Sequence, residues 1–118
     1  MPELKPEITI DDFLKLDLRT ARVLACEPHP NADRLLKLRI DVGELGERQV
    51  CAGVRAHYQP EELVGKTFIV VANLAPRMLR GEESRGMLLA ATAREGEQVR
   101  DVALLVPIRD TPPGSTVG

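Results

Sequence analysis

The segment Leu36-Lys-Leu-Arg-Ile-Asp-Val42 alternates without a break, with Leu36, Leu38, Ile40 and Val42 on one side and Lys37, Arg39 and Asp41 on the other. Successive side chains of a strand point to opposite faces, so this period of two reads as a strand with one face in a core and one in water. Partners for it are legible on both sides. Leu18 to Glu27 reads as a strand before it, with broken alternation around Ala21. Glu44-Leu-Gly-Glu47 reads as a hairpin turn and Arg48 to Ala52 as the third strand. A brief helical segment then passes through Pro60-Glu-Glu-Leu63 and stops at Gly65, with proline opening it and glycine closing it. Residues 67–74, 86–92 and 102–108 supply further strands, and Pro107 makes the last an edge strand or cuts it short. Short strands with a helical interruption after the third predict an all-β, five-stranded OB-fold barrel with short helices and added N- and C-terminal segments. An SH3-like barrel is the runner-up on pattern alone.

A chain of 118 residues with 43% hydrophobic content suits one domain, 1–118, with a single core. No apolar run approaches the length of a membrane span. Met1-Pro-Glu-Leu-Lys-Pro6 lacks the cationic start and apolar stretch of a secretory signal, so the expectation is a cytoplasmic protein with Cys26 and Cys51 reduced. The N-terminal segment can begin with a helix capped by Thr9 and Asp12, with Ile8 and Phe13 at the positions of a hydrophobic staple.

The formal net charge is −2, but its distribution is uneven. Residues 18–40 hold Arg19, Arg22, Arg34, Lys37 and Arg39 against Glu27 and Asp33, and residues 66–94 hold Lys66, Arg77, Arg80, Arg85 and Arg94 against Glu82 and Glu83. Each of these stretches is net positive and the rest of the chain is net negative. Folded side by side, they would give a basic face that steers a polyanion despite the acidic balance. The cations concentrate in Asn73-Leu-Ala-Pro-Arg77-Met-Leu-Arg80-Gly-Glu-Glu-Ser84-Arg85-Gly-Met87, a turn between two apolar segments. Arg77, Arg80 and Arg85 are the leading phosphate contacts, because a guanidinium offers charge and a planar fork. Lys37 and Arg39, on the polar face of the second strand, and Arg34, at the turn before it, could line the same groove or simply be solvated. Asn31 and Ser84 can exchange hydrogen bonds with sugar or base, though Asn31 could equally hold its own turn. Met87 could pack on a base or fill the core.

Aromatic residues are Phe13, Tyr58 and Phe68 only. Generic single-strand binders on OB folds stack bases on aromatics, so this chain fits recognition of backbone and folded shape instead. Cys26-x2-His29 and Cys51-x5-His57 do not sit on the tight turns that structural zinc needs, and no metal or cofactor is expected. Neither a nucleophile–base signature nor a glycine-rich phosphate loop is present, so the chain reads as non-catalytic.

Several segments, in order, resemble one known family. They are Ile8-Thr-Ile-Asp-Asp-Phe13, Asp17-Leu-Arg19, His29-Pro-Asn-Ala-Asp-Arg-Leu-Leu-Lys-Leu38 and Arg48-Gln-Val-Cys-Ala-Gly53 in the first half. Pro60-Glu-Glu-Leu-Val-Gly-Lys66, Val71-Ala-Asn-Leu74, Pro76-Arg-Met-Leu-Arg-Gly-Glu-Glu-Ser84 and Gly86-Met-Leu-Leu-Ala90 follow in the second. Together they resemble the tRNA-binding domain found at the C-terminus of bacterial methionyl-tRNA synthetases, as a free-standing structure-specific tRNA-binding protein, and in the endothelial monocyte-activating polypeptide group. The resemblance covers roughly residues 8–117 and implies an OB fold, grip on the outer corner of folded tRNA, and a homodimer. It also implies the catalytic domain of methionyl-tRNA synthetase as a possible partner. An export chaperone of the same fold offers the alternative, a protein-binding module. The family often has glycine at position 21, which would suit a bulge; Ala21 counts against one here. For a dimer, the candidate interface is residues 8–16 with 95–118, which carry more apolar residues than such short segments bury on themselves.

Overall fold

In the computed structural model, which describes residues 3–118, a curled, OB-like sheet is built around its long first strand. Met1 and Pro2, the start of the N-terminal segment, lie outside the described residues. Strand β1 (Leu18–Pro28) pairs antiparallel with β4 (Thr67–Val71) through Leu18–Arg22, and with β2 (Leu36–Asp41) through Arg22–Pro28. The register shifts between Val23 and Ala25, so the bulge falls at Leu24, not at residue 21. A bulge adds local twist, which lets one strand turn from one neighbour to the other. Ala21 instead faces Phe68 across the ladder; both are buried in the core, and the small alanine side chain leaves room for the ring.

The alternation in β2 behaves as its period dictates. Leu36, Leu38 and Ile40 are fully buried, while Lys37 and Arg39 lie on the outer face. A 3-10 turn at Gly43–Leu45 leads into β3 (Glu47–Ala52), which pairs with β2 along its whole length. Helix α1 (Ile10–Phe13) has the expected capping box: Thr9 Oγ1 accepts from the Asp12 amide and Asp12 returns the bond at 3.4 Å, a long reach for its short side chain. The staple does not form as expected. Phe13 packs on Leu18, Ile69 and Val71, whereas Ile8 stays 67% exposed. Helix α2 (Pro60–Leu63) plugs the barrel with the buried Leu63. Asn73, next to β4, donates to Lys15 O at 2.7 Å and accepts from the Asp17 amide at 2.9 Å, fixing the N-terminal segment to the sheet.

Three strand expectations shift. The segment expected as 67–74 ends at Val71. The one at 86–92 is two pieces, β7 (Met87–Leu88) on the sheet and β8 (Ala90–Glu95) off it. The main sheet thus runs in the order β3-β2-β1-β4-β7. The strand expected at 102–108 is β9 (Gln98–Leu104), and Leu105–Ile108 is not strand. Strand β9 pairs with β8 in a hairpin that stands clear of the barrel, with every residue from Ala90 to Asp101 exposed. Such a hairpin has no apolar alternation, so periodicity misplaces its bounds. Between β4 and β7 lies a further hairpin, β5 (Arg77–Leu79) and β6 (Glu82–Ser84), where the sequence suggested only a turn. Its two-residue tip, Arg80-Gly81, has positive φ at both positions (52° and 91°), the geometry that matches the twist of a tight hairpin. The tail returns as β10 (Thr116–Val117) on β1.

The open side of the sheet, between β3 and the β6–β7 link, is bridged by hydrogen bonds. The Arg85 amide donates to Gln49 O at 2.9 Å, and the Cys51 amide donates to Ser84 Oγ at 3.0 Å. Gly86 makes this closure possible: at φ 128° an added Cβ would sit 3.0 Å from Val71 O and 3.1 Å from a Val70 methyl.

Candidate nucleic-acid interface

Two segments remote in sequence meet at one end of the barrel. The loop Asn31–Leu35 and the β5–β6 hairpin residues Met78–Arg80 face each other across a groove of about 550 Å³. Arg34 lies on one wall and Arg80 on the other, with Asp33 beside Arg34. Arg77 opens the hairpin and Arg85 follows it, next to β3. All four arginines are exposed. Among the described residues, none of the four has an ion-pair partner, whereas Arg19, Arg22, Lys37 and Arg39 are all paired. An unpaired exposed guanidinium keeps its whole charge and its donors for a ligand.

The structure divides the remaining sequence candidates. Lys37 is held between Glu27 (3.0 Å) and Glu82 (3.5 Å), and the bond to Glu27 raises its pKa above the ordinary lysine value. Its charge is spent on tying the hairpin to β1 and β2. Arg39 pairs with Glu47 at 2.7 Å and borders a smaller hollow of about 270 Å³ with Lys37, Gln49 and Cys26. Ser84 is 1% exposed, and its hydroxyl accepts from the Cys51 amide and donates to Gly86 O at 3.2 Å, so it closes the barrel and does not face a ligand. Asn31 is exposed on the groove; its Nδ2 reaches Arg80 O at 3.5 Å. Met87 is 41% exposed and shares a third, mainly apolar groove with Arg77, Leu35, Val54 and Leu104, of about 380 Å³.

Two participants lie in the matched segments but are not among the site residues expected from the sequence. Gln49 Nε2 donates to Glu82 Oε1 at 3.1 Å and Glu83 O at 3.0 Å, holding the hairpin down. His29, which opens a matched segment and was also weighed as half of a zinc pair, is buried and bonded to Leu79 O at 2.8 Å and the Asn31 amide at 2.9 Å. Burial pushes the Cys26 thiol up to about 11, so it stays a neutral thiol. The aromatic residues offer no platform: Phe68 is buried, Phe13 packs on the sheet, and Tyr58 packs on the core with its hydroxyl bonded to the Leu104 amide at 3.0 Å.

A curled OB-like sheet with a cationic hairpin and loop at one end defines a binding module of the OB class. The chain belongs to the tRNA-binding domain family: it matches the family described as "Putative tRNA binding domain" over residues 18–116. The methionine–tRNA ligase of Clostridium tetani (strain Massachusetts / E88) is 52% identical over 100 residues, 85% of this chain and 15% of that protein. The chain thus spans only a small part of the curated relatives it matches. A MetRS related protein from Pyrococcus horikoshii has a crystal structure similar at TM-score 0.86 and 33% identity, covering 97% of this chain and 100% of that one. Chaperone CsaA of Bacillus anthracis str. Ames is similar at TM-score 0.84 and 34% identity, covering 96% and 100%. The family supplies a non-catalytic accessory domain. No helix among the described residues is long and apolar enough to cross a membrane.

Proposed function

We propose that this chain is a structure-specific tRNA-binding module that acts as a homodimer in the cytoplasm, either free-standing or attached to the catalytic domain of a methionyl-tRNA synthetase. The observation that carries the reading is the set of unpaired, exposed arginines at one end of the barrel: Arg34 and Arg80 line one groove, and Arg77 and Arg85 flank the hairpin that carries Arg80. With its aromatics occupied elsewhere, the domain can bind phosphates but has little with which to stack loose bases. Rigid folded RNA holds phosphates at fixed spacing, so shape becomes the selective property. Folded tRNA should therefore compete much better than poly-U at fixed salt. Equal competition would show that the groove accepts any single strand.

Dimerisation is supported by apolar surface left bare in this one chain. Ile10, Leu14 and Leu16 of the N-terminal segment, and Leu105, Val106 and Ile108 after β9, are exposed, Ile108 completely. Phe13, Val102 and Leu104 from the same segments do pack on their own barrel, so only part of the apolar run remains for a partner. A two-fold pair would cover the same patch on each subunit and join two RNA faces, raising avidity for one tRNA or holding two. Sedimentation equilibrium checks this: a monomer at micromolar concentration would count against it. The likeness to CsaA supports the alternative, a protein-binding chaperone, and the mainly apolar groove beside Met87 and Arg77 is where a peptide would lie. Competition of an unfolded peptide with tRNA separates the two.

A further inference from the structure

The β5–β6 hairpin carries Arg77 and Arg80, yet it has little apolar anchorage. Met78 is 66% exposed and Leu79 is only half-buried. Its attachment to the barrel is polar. Gln49 and Lys37 hold its β6 side through Glu82. Its tip is held from the opposite wall of the groove by the loop that begins at His29. The imidazole accepts the Asn31 amide at Nδ1, so Nδ1 carries no proton and Nε2–H donates to Leu79 O. Both ring nitrogens are thus committed, one to each wall, and the ring is 2% exposed.

We infer that His29 is the positioning residue of the groove: it sets the separation of Arg34 and Arg80 so that one stretch of ribose–phosphate backbone fits between them. The inference rests on the tRNA reading above. His29 touches no RNA itself. It acts through Arg80, one residue beyond the carbonyl it holds, and through the turn that carries Arg34. Without the Nε2 bond the tip is free to swing on polar contacts alone, and a binding site gains affinity from having its donors already in place.

The test uses glutamine and asparagine as partial mimics. A Gln amide can reach the Leu79 carbonyl as Nε2 does, whereas Asn can replace only Nδ1. Binding of folded tRNA is measured at 0.1 M salt for R80A, H29Q, H29N and H29N/R80A, with the fold of each checked by thermal melting. Loss of one phosphate contact weakens binding about five- to eightfold at this salt. R80A and H29N should each lose at least this much, H29Q, which keeps the Leu79 contact but not the Nδ1 one, should lose clearly less than H29N, and H29N/R80A should be no weaker than H29N. Additive losses in the double variant, or a loss in H29Q equal to that in H29N, overturn the positioning role. An unchanged affinity in R80A instead sinks the tRNA groove itself. A second measurement on the unaltered protein covers the case in which H29N does not fold. Exchange of the His29 Nε2 proton should slow further on saturation with tRNA, because binding favours the latched state; exchange that ignores tRNA overturns the inference.

Discussion

The division between paired and unpaired cations predicts a salt dependence that differs by residue. Four free arginines, if all meet phosphate, give a log–log slope of about −2.8 to −3.6. Raising salt from 50 to 200 mM should then weaken binding roughly a hundredfold. Arg80→Ala removes one contact, leaving a slope of about −2.1 to −2.7 and a loss of only ~20–40-fold over the same range. Arg39→Ala is the internal control. Arg39 already has Glu47 at 2.7 Å, so contact with a phosphate would first have to break that pair. Its removal should leave the slope unchanged and, at an exposed site, stability within ~0.5 kcal/mol. Filter binding or fluorescence anisotropy across a salt series reads both. If Arg39→Ala flattens the slope as much as Arg80→Ala, the RNA lies along the outer face of β2, and ion pairing does not decide which cations meet it.

Two predictions concern the scaffold. Ser84→Ala leaves the buried Cys51 amide without its acceptor and should cost about 1–3 kcal/mol in urea unfolding, with tRNA affinity of the folded protein little changed; a large affinity loss at full stability would restore Ser84 as an RNA contact. The Arg19 guanidinium holds the Asp17 carboxyl below its ordinary value, chiefly through their hydrogen bond. Stability from this pair is complete above the ordinary Asp value and is lost as pH falls through the lower folded value, so Asp17→Asn should flatten the acid limb of a stability–pH curve below the ordinary Asp value, and an unchanged limb would show the pair to be inert.

Burial of one face and pairing of neighbours are local properties, so Leu36, Leu38 and Ile40 could be assigned to the core, and Thr9 and Pro60 to helix starts, from spacing alone. The strands expected at 86–92 and 102–108 overlap β8 and β9 but misplace their bounds, and the β5–β6 hairpin reads as a turn, because neither hairpin buries an alternating face.

The strand-rich barrel, the family and the two basic segments were legible in the residues before any fold was seen, whereas the meeting of those segments at one groove was only a condition until the fold placed them. They follow from side-chain period, turn residues and charge along the chain. Which polar groups remain free could be settled by the folded molecule alone. Lys37 and Ser84 belong to the same matched segments as Arg34 and Arg80, yet one is neutralised by Glu27 and Glu82 and the other is sealed beneath the sheet. The reason is that a cation's availability depends on what the fold brings beside it. Ser84 meets its partner Cys51 across 33 residues and His29 meets Leu79 across 50, separations over which no local pattern carries information.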